Sequence, residues 1–353
     1  MLREGVQSSR VSEPEDLVAA VPGVVYRATP LRVGAFEASL TTFGLGEVAL
    51  QTGHATPHLA FAKAGPETAA VKLPLENAET LVLNGLAVRP RTVALYGGGA
   101  ELLRANPRDS QHAILVLPID RAEALLCPPP GSPLLRPGAQ GLLEAEPAAW
   151  ERAAGIIRAA AETGATAPRT FDAAPPRAAL RASLLDAARG LVRDSEGRDG
   201  RSRHDAPARR RVVAAADEYL RAHLARPIYT EELCGALGIS PSSLATAFGA
   251  TFGVSPHRFL KLRRMAMVRN LLRSREGPAP PVKSVALAHG FWHLGGFAAE
   301  YRAMYGEAPS ETLAPRPWPP PRRRGSVAAA GGRRSRGPAG QCAGARVSSS
   351  CLS

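Results

Sequence analysis

Two stretches decide how this chain is read: GISPSSLATAFGATFGVSP, Gly238 to Pro256, and GFWHLGGFAAEYRAMYGEAP, Gly290 to Pro309. They share one skeleton. Leu244, Phe248, Phe252, Gly253 and Pro256 recur at a constant offset of 53 as Phe297, Tyr301, Tyr305, Gly306 and Pro309. Apolar residues four apart lie on one face of a helix, so each stretch predicts a helix with one buried stripe. A repeat of this kind reveals architecture before any single residue does. Only the entering turn differs, six residues from Gly238 to Leu244 against seven from Gly290 to Phe297.

Working outward, a short helical pattern precedes each stretch. In the first, Thr230 is expected as the N-cap, Glu231 and Glu232 face the positive end of the helix dipole, and Gly238 is a natural C-terminal cap. Ser240 caps the following helix with Pro241 at its first position, and Ser255 with Pro256 repeats the device. The second copy has VKSVALAH, a turn at Gly290 and then its longer helix. A basic helix from Pro256 to about Arg273 bridges the copies, and VVAAADEYLRAHL in front places Val212, Val213, Ala216, Leu220 and Leu224 on one side. Short helix, turn and longer helix, twice over, predict two helix-turn-helix units in series. In that motif the second helix enters the major groove of DNA with its N-terminal residues toward base edges.

In the first unit the residues beside the stripe are Ser242, Ser243, Ala245 and Thr246; in the second they are Gly295, Gly296, Ala298 and Ala299. Arg258, Lys261, Arg263, Arg264, Lys283 and Arg302 stand where phosphate contacts are expected. The competing readings are a plain helical bundle, solvated surface serines and threonines, and ion pairs from Arg263 and Arg264 to Glu231 or Glu232.

Charge points the same way. The chain carries a formal +13 over 353 residues, but residues 1–192 hold a net −1. Residues 209–313 have 14 Lys/Arg against 8 Asp/Glu, and the stretch from Ala314 to the end has eight arginines and no acid. A polyanion partner is therefore expected at the C-terminal side. Pro, Gly and Arg bias leaves residues 316–353 unable to bury a core, and that tail is read as disordered. Four cysteines without a C-x-x-C pair suggest a reduced, cytoplasmic protein. No apolar run is long enough to span a bilayer, so no membrane partner is expected.

The first 126 residues read as short apolar segments with partial alternation and Gly, Asn or Pro punctuation, predicting an antiparallel sheet or barrel. Cys127 to Gly138 is a Pro/Gly-rich breaker. Connector helices are expected over 139–193, one with Leu142, Leu143, Trp150, Ala153, Ala154 and Ile157, the other with Leu180, Leu184, Ala188 and Leu191. Residues 194–209 read as a charged linker and 210–315 as the helical domain. The fold class is thus α+β: a β-rich domain, a helical connector, an all-α tandem helix-turn-helix domain and a basic tail. His54, His58 and His112 invite a metal reading, but HATPH lacks an H-x-H pair and no Glu follows at a suitable distance. No metal, cofactor or catalytic residue is assigned.

Residues 210–315 resemble the AraC/XylS-type bacterial transcription regulators. The resemblance rests on ELCGALGISPSSLATAFGATFGVSPHRFLKLRRM and VALAHGFWHLGGFAAEYRAMYGEAPSETL. GFWHLG with PSETL is most similar to the ethanolamine-utilisation regulator subgroup. The resemblance implies an N-terminal cupin-like domain for effector binding or dimerisation. It also implies base-facing positions at Ser242, Ala245 and Thr246 in the first unit and at Leu294, Gly295, Ala298 and Ala299 in the second. Ala and Gly offer no side-chain hydrogen bonds, so the second unit is expected mainly to position, leaving specificity to the first unit or to DNA shape. The partners expected are double-stranded DNA, a small-molecule effector, RNA polymerase and a second copy of the chain. A cupin-like metal enzyme fused to a DNA-binding domain is the alternative, and a nucleic-acid-coating protein acting through its tail is a third reading.

Overall fold

Strand β11, Ser110–Pro118, shows how the N-terminal half is layered. Ala113, Leu115 and Leu117 are buried on one side against helices, while His112, Ile114 and Val116 point to a cavity on the other. Successive side chains on a strand alternate between faces, so a strand covered on both sides has few polar positions. That is why alternation in this half of the sequence is only partial.

The computed structural model describes residues 4–17, 24–31, 36–193, 206–223, 226–273 and 280–313. The 316–353 tail, Leu224 and residues 194–205 of the expected linker lie outside the described residues. The strands are β1 Gly5–Val11, β2 Val24–Pro30, β3 Ala38–Leu45, β4 Val48–Ala55, β5 His58–Ala64, β6 Thr68–Pro74, β7 Val82–Leu83, β8 Leu86–Ala87, β9 Thr92–Tyr96, β10 Glu101–Asn106, β11, and β12 Gln140–Glu144. They form a seven-stranded sheet in the order β1-β3-β4-β11-β6-β9-β12 and a five-stranded sheet in the order β2-β5-β10-β7-β8. Every pairing is antiparallel.

The helices are α1 Ala122–Leu126, α2 Pro147–Thr166, α3 Ala174–Arg193, α4 Ala206–Ala222, α5 Thr230–Leu237, α6 Pro241–Phe252, α7 Pro256–Arg273, α8 Val282–Ala288, α9 Leu294–Tyr305 and α10 Pro309–Leu313. Trp150 and Ile157 of α2 and Leu184, Ala187, Ala188 and Leu191 of α3 share a core with Phe43, Leu50, Val71 and Leu115 on the outer face of the larger sheet. On the smaller sheet the outward residues Leu59, Leu103 and Ala105 join the core of the first helix-turn-helix unit. Four layers result: α2 and α3, the larger sheet, the smaller sheet, and the C-terminal helices.

Two expectations need correction. Leu142 and Leu143 do not belong to a helix with Trp150; they lie in β12, which pairs with β9 and extends the sheet past residue 126. Pro147 explains the break, because a proline fits the first turn of a helix but not its interior, so α2 starts there. Thr230 is the first residue of α5 rather than its cap, a place held by the extended Tyr229 without a side-chain cap bond.

Candidate nucleic-acid interface

The first unit is built as its caps dictate. Gly238 ends α5 in the left-handed conformation, and Ser240 accepts a hydrogen bond from the Ser243 amide at 3.1 Å to start α6. The two helices bend by 99° across this turn, within the range usual for the motif. Leu244, Ala247, Phe248 and Phe252 are buried, and Phe248 meets Phe259 of α7 with ring centroids 5.1 Å apart. Ser242, Ala245 and Thr246 are left exposed along the outer face of α6.

The second unit has a separate core of Met265, Val268 and Leu272 from α7, Val285 and Ala286 from α8, Phe291, and Phe297, Tyr301, Met304 and Tyr305 from α9. Tyr301 is closed off by Thr312 at 2.9 Å. Ending the two stripes, Gly253 and Gly306 are both left-handed C-caps, as the 53-residue repeat requires. Gly295, Ala298 and Ala299 are exposed and Leu294 is half-buried. A Cβ built on Gly295 or Gly296 meets nothing within 4 Å, so no packing inside the protein calls for glycine there.

Gly290 is different. Its φ of +78° favours glycine, and a Cβ there would sit 2.1 Å from Tyr229 Oη. Tyr229 begins the first unit, so this contact is where the two units meet. Arg264 completes the joint, its guanidinium 4.7 Å from the Tyr229 ring centroid and 5.7 Å from that of Phe291. It is 7% exposed, which corrects its assignment to a phosphate contact: it is held inside by two aromatic faces.

Arg263 is turned inward too. It pairs at 3.2 Å with Asp217 of α4, a carboxylate only 3% exposed that also binds Arg27 of β2. The partner expected for Arg263 among Glu231 and Glu232 is therefore replaced by Asp217; Glu232 instead binds Arg226 and Tyr219, each at 2.8 Å. Those hydrogen bonds, Arg226 first, hold the Glu232 carboxyl down at about 2. Arg258 and Lys283 are exposed, Lys261 pairs with Glu300 at 2.7 Å, and Arg302 lies 3.5 Å from Glu311 at the surface.

The sequence reading does not assign Trp292, which stands 72% exposed in the turn before α9. Its signal is a large aromatic beside His293, outside the repeat of the stripe. Nor does it assign the contacts across which the β-rich half holds the helical half. Besides Arg27 with Asp217, buried Glu13 pairs with Arg269 at 2.6 Å and Arg273 at 3.1 Å, and Phe61 of β5 meets Phe252 at 5.3 Å. An acid at Asp217 amid the stripe Val213, Ala216, Leu220 is the visible sign, since a buried carboxylate needs a cation. Among the described residues no three of His, Cys, Asp and Glu gather to hold a metal, and no single helix is long and apolar enough to cross a membrane.

A family model described as a helix-turn-helix domain matches residues 233–314. The probable thc operon regulatory protein of Rhodococcus erythropolis is 36% identical over 107 residues, 30% of this chain and 32% of its own length. The XylDLEGF operon transcriptional activator 2 of Pseudomonas putida is 36% identical over 30% of this chain and 66% of its own. A solved structure of a probable AraC family transcriptional regulator from Rhodopseudomonas palustris CGA009 is 42% identical, covering 29% of this chain and 94% of its own, with a TM-score of 0.27. The match thus spans about a third of the first of these curated relatives and just under two thirds of the second. With paired units on one bridging helix, their stripes buried as the repeat demands, the helical part of the chain is similar to the DNA-binding domain of AraC/XylS-type regulators.

Proposed function

We propose that this protein is a cytoplasmic one-component transcription regulator, and not an enzyme, whose helical domain binds double-stranded DNA through two recognition helices. One observation carries the reading: α6 and α9, held by a shared helix α7, bury their aromatic stripes while Ser242, Ala245, Thr246, Gly295, Ala298 and Ala299 stay exposed. Exposed small and polar residues at the leading end of such a helix suit approach to a groove floor. Arg258, Lys261, Lys283 and Arg302 are the cations suited to phosphate. Arg263 and Arg264 instead serve the joints. Activation through RNA polymerase, response to a small molecule and self-association of the β-rich half extend the same reading.

Fluorescence anisotropy with the operator duplex and a scrambled duplex tests it. Affinity for both falls steeply with salt, because phosphate contacts release counterions. Exchanging Ser242, Ala245 and Thr246 for another member's residues redirects base preference, whereas exchanging Leu294, Gly295, Ala298 and Ala299 lowers affinity more evenly across sequences. A larger loss of base preference from the second exchange refutes the division of labour, and salt-independent binding refutes the DNA reading.

A further inference from the structure

Between the two sheets lies a cavity of about 110 Å³, lined mostly by small and aliphatic side chains that include Leu17, Ala49, Ala62, Ala70 and Ile114. Among the described residues no Asp or Glu lines it. Two cations do: Lys72 from β6, 2% exposed, and Arg104 from β10, 3% exposed. Each occupies an inward position of its strand, since Val71 and Leu73 belong to the core beneath the helices and Leu103 and Ala105 to the core of the first helix-turn-helix unit.

Neither cation has a counter-charge among the described residues. Lys72 makes no hydrogen bond or ion pair among the described residues, and Arg104 donates only to neutral groups, Tyr26 Oη and His58 Nε2, both at 2.6 Å, leaving its Nε unpaired. His58 is fixed as the acceptor by its Nδ1, which donates to the Thr56 carbonyl at 2.7 Å. Tyr96 Oη and His112 Nδ1, also buried at this cavity, have no hydrogen-bond partner among the described residues either. Burial and then the Arg104 charge push the Lys72 ammonium well below its ordinary range. A buried charge without a counter-charge is costly enough to be rare, and the cost falls when an anion occupies the same space.

We propose that the cavity binds a small organic acid, its carboxylate between Lys72 and Arg104 with Tyr96 and His112 at hand, and its apolar body among the alanines and leucines. The inference rests on the regulator reading only for its consequence, which is direct. Arg104 faces the ligand while its neighbours Leu103 and Ala105 press on the first helix-turn-helix unit, so a ligand that draws on Arg104 acts on the strand against which α6 packs.

The test uses the full chain and two acids matched to their amides, hexanoate with hexanamide and phenylacetate with phenylacetamide, followed by calorimetry and thermal melting. At least one acid is expected to bind tenfold or more tightly than its amide and to raise the melting temperature, with binding lost in Lys72→Met and Arg104→Gln. Independently of any ligand, Lys72→Met is expected to melt higher than the parent, because it removes an amine that folding either buries charged without a partner or strips of its proton. Amides that bind as well as their acids, or no binding by either acid, overturns the proposal, as does a lower melting temperature in Lys72→Met. DNA affinity measured with and without the acid separates the two readings. An acid that binds without altering operator affinity upholds the ligand class and counts against its regulatory role, whereas a protein that binds DNA but no acid fails only the ligand class.

Discussion

Replacing Gly295 and Gly296 of α9 together by alanine separates what the protein needs from what the DNA needs. Both lie in the first turn of a regular helix and a Cβ at either meets nothing within 4 Å, so the exchange carries no steric cost inside the protein. Alanine relieves the conformational entropy that glycine forfeits in a helix, roughly 0.5–1 kcal/mol per site in a helix interior and somewhat less at its start. The double variant should therefore gain about 1 kcal/mol, a rise of roughly 2–4 °C if the whole described body melts together. Its affinity for the operator should fall roughly tenfold, about 1.4 kcal/mol, because two methyl groups hold the helix away from the duplex. Thermal melting followed by circular dichroism reads the first effect and anisotropy at fixed salt the second. A less stable variant refutes the claim that these glycines are free of packing duties. A more stable one with unchanged affinity refutes the claim that the bare face approaches DNA.

Other perturbations have equally definite outcomes. Gly290→Ala should destabilise by about 2 kcal/mol or more, since it combines a strained φ with a collision against Tyr229, and Tyr229→Ala in the same chain should recover part of the loss; equal melting of Gly290→Ala and the parent would contradict the joint. Asp217→Ala should cost roughly 3–5 kcal/mol, the penalty for stripping the partner from a buried ion pair, and should make helix α4 more sensitive to protease. Trp292→Ala should leave stability within about 0.5 kcal/mol, as befits an exposed side chain, while weakening DNA binding measurably; a large loss of stability would assign it to the core instead. Acid should weaken the β-rich half. Burial, then the Arg104 charge, holds His58 at about 3 against an ordinary 6.5, and burial likewise holds His112 well down. Both are neutral when folded and take up protons when unfolded, so their contribution is present above about pH 6.5 and is lost as pH falls toward about 3, at up to about 1.4 kcal/mol per unit for each. Chemical denaturation at about pH 7 and about pH 5, on either side of the ordinary histidine range, checks the sign: a protein more stable in the more acidic buffer contradicts it.

The helical half is legible because its signals are local. Caps at Ser240, Gly238 and Gly253, the stripe of Leu244, Phe248 and Phe252, and its echo in α9 each describe one turn of chain and its neighbours. The exposed positions proposed to face bases follow from the stripe, since what is not buried on a two-sided helix is exposed. The cations are harder to place. Arg263 and Arg264 are adjacent on a basic helix, and only the distant Asp217, Tyr229 and Phe291 turn them inward. Likewise β12 owes its form to pairing with β9, which lies far outside any local window around Leu142. Lys72 and Arg104 show in the sequence as cations inside apolar strands, TAAVKLP and ELLRAN, but their meeting across one cavity depends on the pairing of two sheets.

The contact of Gly290 with Tyr229, seconded by Arg264, makes the helical domain a ruler rather than a pair of tethered readers. On the proposed reading, a joint packed in this way holds the two helices to one separation of half-sites. Each base pair inserted between them moves the second by about 3.4 Å along the axis and roughly a tenth of a turn around it. An operator altered in this way should lose the second unit's contribution altogether while keeping every contacted base, so the length of the untouched DNA between the half-sites becomes part of the recognised sequence.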